Sequence, residues 1–337
     1  MPKIKILKRW RGLRVLRLMN GLLRNMALGV SLWIFYSKFY INHKVALQPA
    51  LPAKRKELES TAAGRLSYYS EPGKGRPLVL VHSINAAASA YEMKPLFLAY
   101  QGKRPVYALD LPGFGFSEHS TVEYTPSLFS NALGEFLEEV VKKPADVVAL
   151  SLGSEFAARV ALERPELVHS VALISPSGMA AGGSVSRRAG LAGASQRMHG
   201  LLAAPLWGQA LYDLIATRAS IRFFLGLSFV GRVPVDLVDY AYATAHQPGS
   251  ADAPLYFLSG ALFTRNAIQE LYQKVNLPGL VLYDEDAFSK FEGLPALLES
   301  QPCWQAVRIA PSKGLLHFEH LEETVKALEA FWAGIAI

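Results

Sequence analysis

The stretch "ADVVALSLGSEFAARVALERPE", residues 145–166, decides the fold. A mostly apolar run ends on Ser151, and the residues beyond it carry apolar side chains at helical spacing. A buried strand that turns at once into a helix holds such a serine with its hydroxyl clear of the sheet. The sharp turn admits only small residues two positions to either side, and Ala149 and Gly153 meet that requirement. The helix start sets its unpaired N–H groups and positive dipole end beside the serine, so the Leu152 amide can stabilise an oxyanion formed there. The competing reading of A-x-S-x-G is a serine that only caps a helix.

Working outward, the alternation of short apolar runs with helix-length segments continues from residue 65. "RLSYYS" (65–70) alternates like a strand. "RPLVLVHS" (76–83) and "RPVYALDLPG" (104–113) are continuous apolar runs left through turn residues, as strands covered on both faces read. "TPSLFSNALGEFLEEVVKK" (125–143) opens on a capping threonine and reads as a helix. Beyond residue 166 come the strands "SVALISPSG" (170–178), "GLVLYDEDAF" (279–288) and "WQAVRIA" (304–310), then the helix "EHLEETVKALEAFW" (319–332). This order predicts an α/β fold: a mainly parallel sheet with helices on both faces, ligands binding beyond the carboxyl ends of the strands.

Residues 179–276 break the alternation and read as several helices inserted after the sixth strand. They carry Trp207, Tyr212, Phe223, Phe224, Phe229, Tyr240 and Tyr242, more aromatic surface than short helices hide alone. A lid is expected, face down on the loop edge of the sheet, most aromatics gluing it and a few lining an apolar pocket. The expected organisation is an N-terminal segment and linker over 1–60, a core over 61–178, a lid over 179–276 and the rest of the core over 277–337.

A serine hydroxyl needs a base within hydrogen-bond reach, itself oriented by an acid. His317 in "SKGLLHFEHLEE" (312–323) is expected in the loop between the last strand and the last helix, able to swing over the sheet edge. Its rival His320 is expected in the first turn of that helix, facing sideways. For the acid, Asp284, Glu285 and Asp286 follow an apolar strand in the right chain order. Asp286 is preferred because such an acid sits a few residues beyond the strand, and Asp284 is the alternative.

At this point the chain from about residue 65 resembles the α/β-hydrolase fold superfamily with a helical lid. The segment "VLVHSINAAAS" (79–89) resembles the family's His-Gly oxyanion segment, and "ALDLPGFGFSE" (108–118) its Asp-x-Pro-Gly-x-Gly-x-Ser turn. "VVALSLGS" (147–154) resembles its nucleophile elbow and "LLHFEHLEE" (315–323) the segment around its catalytic histidine. The resemblance implies Ser151 as nucleophile, His317 as base, Asp286 as orienting acid, the backbone amides of Ile84 and Leu152 as oxyanion donors, and a structural role for His82. Four departures stand out: Ser83 in place of the usual glycine, Ala149 in place of the first elbow glycine, Leu150 in place of a frequent histidine, and an acid turn one residue short. Serine, and not aspartate, at the nucleophile position implies acyl transfer. The expectation is a serine hydrolase that cleaves a hydrophobic ester or lactone through an acyl-enzyme. A non-catalytic binding module, a cofactor-free peroxidase and a C–C bond hydrolase are the other readings of this scaffold.

Composition narrows the setting. With 51% hydrophobic and 19% charged residues over 337 positions the chain has ample core and is not disordered. The single cysteine, Cys303, excludes an internal disulfide. No metal-ligand spacing and no phosphate loop is visible, so no cofactor is expected. Much of the +7 charge gathers at the N-terminus, in Lys3, Lys5, Lys8, Arg9, Arg11, Arg14, Arg17 and Arg24, so nucleic acid is not the expected partner. At helical spacing Arg14, Arg17 and Arg24 face away from Leu16, Met19, Leu23 and Met26. Three readings fit: a foot on an anionic membrane through residues 1–40, a signal anchor, or a helix packed on the body. The first is preferred, giving a cytoplasmic protein peripheral to the membrane, with residues 46–60 as a linker.

Overall fold

The computed structural model describes residues 3–119, 122–180 and 192–335, with the helix over residues 3–19 as backbone only. The basic side chains from Lys3 to Arg17, together with Leu16 and Met19, lie outside that description, as do residues 181–191 of the expected lid.

Helix α1 (Lys3–Tyr40) leads into β1 (Arg55–Ser60) and β2 (Gly64–Glu71), then β3 (Leu78–Val81), α2 (Lys94–Tyr100), β4 (Val106–Leu109), α3 (Pro126–Phe136), β5 (Ala145–Leu150), α4 (Gly153–Glu163) and β6 (Val168–Ile174). Among the described residues six α-helices follow before the next strand: α5 (Ala192–Leu202), α6 (Gly208–Ile215), α7 (Arg218–Gly226), α8 (Val235–Ala245), α9 (Asp252–Leu258) and α10 (Ala267–Glu270). The chain closes with β7 (Gly279–Tyr283), α11 (Leu294–Ser300), β8 (Trp304–Arg308), α12 (Leu316–Glu319) and α13 (Leu321–Gly334). The strands form one eight-stranded sheet in the order β1-β2-β4-β3-β5-β6-β7-β8. Only the β1–β2 and β2–β4 pairs are antiparallel; the pairs from β4 through β8 are parallel.

The continuous apolar runs are explained by two cores. Strand side chains alternate between faces. Val79, Val81, Val147, Ala149, Val171 and Leu173 pack with Phe129, Phe136, Phe156 and Leu297, from α3, α4 and α11. Their neighbours Leu78, Leu80, Val148, Leu150, Ala172 and Ile174 pack with Phe97, Leu328, Phe331 and Trp332, from α2 and α13. A residue on either face is therefore buried, and alternation vanishes from the sequence.

One local expectation changes and another is met in detail. Residues 46–60, read as a linker, carry Ala50 and Leu51 in the core and end in strand β1. The pairing of Leu58 with Leu66, at the edge of the sheet, outweighs a composition rich in charge, which is how exposed edges are commonly protected. The helix expected over 125–143 is α3, capped by Thr125 Oγ1 on the Leu128 amide and extended by a wider turn at Leu137–Val141.

Candidate active site

Ser151 stands between β5 and α4 with φ 51°, a left-handed conformation that a residue with a side chain adopts only when its surroundings enforce it. Its N–H donates to the Ile174 carbonyl at 2.9 Å and its carbonyl accepts from Ser154 at 3.1 Å, so strand and helix both hold the turn. Gly153 shows why the turn needs a small residue: a Cβ there would lie 2.4 Å from the His82 carbonyl oxygen. Leu152 caps α4, and its amide belongs to the group of N–H donors that a helix start leaves without an internal partner.

The segment after β3 lies against this turn. His82 is fully buried; its Nε2 accepts from the Leu111 amide at 2.9 Å and its Nδ1 donates to the Ser83 carbonyl at 2.5 Å. Burial lowers its pKa to about 4 from 6.5, keeping the ring neutral in one tautomer. It is the structural residue that the sequence implies. Asp110 works from the neighbouring loop, accepting the amides of Ala90 and Phe116. Tyr212 of α6 donates to the Ala86 carbonyl at 2.7 Å, so an inserted helix reaches the same segment.

The two candidate acids differ. Asp284 has both oxygens occupied, one by Arg308 Nε and one by the Ser312 amide, each at 2.7 Å. Asp286 turns Oδ1 to the amides of Phe288 and Ser289 at 2.7 and 3.2 Å. Its Oδ2 faces the chain that leads to His317: a Cβ on Gly314 would lie 2.9 Å from it. Burial raises the Asp286 pKa above the usual carboxylate range, against the two amide bonds that lower it.

His317 sits in the single helical turn α12 and not in an open loop, and it is fully buried. Its Nε2 donates to the Glu92 carbonyl at 2.7 Å, and its buried Nδ1 has no hydrogen-bond partner among the described residues. Burial lowers its pKa to about 4 from 6.5. A neutral ring that donates through Nε2 carries its lone pair on Nδ1, the reverse of the tautomer a serine base needs. Among the described residues no hydrogen bond joins His317 to Ser151 or Asp286. His320 precedes α13 as its cap, its Nε2 donating to the Pro311 carbonyl at 2.8 Å. Two buried acids near this region went unread in the sequence. Glu155, four residues past Ser151, accepts from Ser177 Oγ and the Thr264 amide; Glu92 holds the segment after β3. Their one sequence signal is an acid inside an otherwise apolar stretch, as in "SAYEMKPL".

Sheet order and the strand–helix turn at Ser151 together define a class, and the chain belongs to the alpha/beta hydrolase family, whose profile matches residues 78–327. It is 29% identical over 167 residues to Esterase Rv0045c of Mycobacterium tuberculosis, covering 49% of this chain and 54% of that one. It is 35% identical over 112 residues to the uncharacterized hydrolase YugF of Bacillus subtilis, covering 33% and 40%. The match thus spans about half or less of each of these relatives. Among solved structures it is similar in fold to a serine hydrolase involved in carbazole degradation, at TM-score 0.64 and 19% identity over 83% of this chain and 99% of that one. It is also similar to a membrane phospholipase A described as a bacterial virulence factor, at TM-score 0.66 and 18% identity over 95% and 99%.

Proposed function

We propose that this protein hydrolyses a hydrophobic carboxylic ester through an acyl-enzyme on Ser151. The observation that carries the proposal is the left-handed Ser151 at the strand–helix junction, with Gly153 pressed against His82. Such a turn is strained, and strain of this kind persists where it serves a site. Ser151 Oγ attacks the ester carbonyl carbon while its proton passes to His317, and the oxyanion is met by the amides of Leu152 and Ile84. The tetrahedral species collapses as His317 protonates the leaving alkoxide. Water then attacks the acyl carbon, giving its proton to His317, which passes it to Ser151 Oγ as the carboxylic acid leaves, restoring both side chains.

This sequence requires His317 to turn from the Glu92 carbonyl, moving its proton to Nδ1 for Asp286 Oδ2 and freeing Nε2 for Ser151. Two facts support that turn. The buried, unpartnered Nδ1 is an unfavourable state, worth about 1–3 kcal/mol, and catalytic hydrogen bonds in unliganded sites commonly tighten only with substrate. Asp286 serves as the acid in preference to Asp284 because it alone keeps an oxygen towards Gly314.

The substrate is a lipid-like ester and the partner surface an anionic bilayer. Leu22, Leu23, Met26, Leu28, Val30 and Leu32 of α1 are all exposed, Leu22 by 62% and Leu32 by 60%, so this part of the helix stands off the body. An apolar helix without protein around it, begun by a basic run, suits a lipid interface. No helix among the described residues is long and apolar enough to cross a membrane. The likeness to the membrane phospholipase A extends over more of the chain than the likeness to the carbazole-pathway hydrolase, which supports the reading. A fluorophosphonate probe tests the chemistry. Wild type is expected to be labelled and to hydrolyse p-nitrophenyl esters with an optimum chain length, and Ser151→Ala to lose both; an unlabelled wild type overturns the proposal.

A further inference from the structure

Glu92 is buried and has no cation among its described partners. Its Oε2 accepts the Ser83 amide at 2.9 Å and its Oε1 accepts Asn85 Nδ2 at 2.7 Å. Asn85 Nδ2 also donates to Ser83 Oγ at 2.8 Å, and Asn85 Oδ1 accepts the Ala87 amide at 2.8 Å. These bonds enclose Ile84, the proposed second oxyanion donor, in a stretch that no strand or helix supports. The carbonyl of the same Glu92 holds His317 Nε2.

From this geometry we infer that Glu92 is a positioning residue: its carboxylate fixes the segment carrying the Ile84 amide while its carbonyl sets where the imidazole rests. The inference depends on the hydrolase reading. An oxyanion donor works only when held within about 0.5 Å of its place, and Ser83, standing where a glycine is usual, needs its added side chain tied back. Both Glu92 oxygens accept a hydrogen bond, and such bonds favour the ionised form. Burial opposes that form and raises the pKa, and the bonds from Ser83 and Asn85 lower it.

The test compares wild type, E92Q and the double variant N85D/E92Q on p-nitrophenyl butyrate, with the rate of fluorophosphonate labelling and the melting temperature measured alongside. In E92Q the carboxamide still accepts the Ser83 amide, but its NH2 opposes the NH2 of Asn85. A kcat lowered about 10- to 100-fold is expected, with KM within about threefold and labelling slowed in parallel. The double variant exchanges donor and acceptor across the pair and is expected to return within about fivefold of wild type. Should E92Q fold poorly, the double variant alone decides, since a hundredfold loss in a folded protein with its acceptors restored overturns the inference. Unchanged kcat in E92Q overturns it too while leaving the hydrolase reading intact. An unlabelled wild type removes both.

Discussion

Gly153 is the residue at which space, and not conformation, sets the requirement. A methyl group added there meets the His82 carbonyl at 2.4 Å, a backbone contact that cannot swing aside. Gly153→Ala is expected to lower stability by about 1–3 kcal/mol, measured by urea denaturation, and to slow phosphonate labelling because the elbow shifts with it. In the proposed reaction His317 sets the pH dependence. Burial lowers its pKa to about 4, so the ring stays neutral, and able to accept a proton, through the range where a free imidazole at 6.5 is charging. The acid limb of kcat/KM is accordingly expected near pH 4; a limb at 6.5 would show that the ring does not rest buried against Glu92 in the free enzyme. Ser151 and Gly153 were legible from spacing alone, because the elbow is a local turn. The rest state of His317 was not, because its partner Glu92 lies 225 positions away in the chain.

At the scale of elements, α6 is clasped on two sides. Tyr212 reaches Ala86, and its neighbour Asp213, only 1% exposed, accepts Ser37 Oγ at 2.6 Å, His43 Nε2 at 3.0 Å and Gln209 Nε2 at 2.8 Å. Trp33 Nε1 donates to the Ala210 carbonyl at 2.7 Å, so α1 is fastened to α6 along one face. Asp213→Ala leaves the buried Ser37 hydroxyl and the half-buried His43 ring without this acceptor. The expected loss is about 1–3 kcal/mol, concentrated at this junction, and hydrogen exchange should rise around residues 33–43 before it rises in the sheet. The sequence displayed α6 as part of an aromatic-rich insertion but not this clasp, since an aspartate in a helix reads as solvated until another element covers it. The strand β1 was hidden for a related reason: its charged residues read as linker, and only the pairing with β2 makes them an edge.

Over the whole molecule, charge and exposed apolar surface are divided unevenly. The sheet is covered on both faces, while α1 and the exposed Phe223 and Phe224 of α7 present apolar side chains outward. Helix α7 packs against α6, and α6 against α1, so the exposed groups belong to connected elements. Sedimentation with anionic vesicles is expected to carry the full chain down, and a chain lacking residues 1–40 to remain in the supernatant, the binding weakening as salt rises. Equal sedimentation of both would remove α1 as the foot.

The sequence by itself determined the parallel sheet and the serine at its strand–helix turn, because strand burial, helix period and tight turns are written in neighbouring residues. Only the tertiary structure decided which acid turns an oxygen towards Gly314, where the His317 imidazole rests and what holds the segment after β3. Those outcomes depend on hydrogen bonds between residues brought together by the sheet, and a buried polar group takes whatever partner the fold sets beside it.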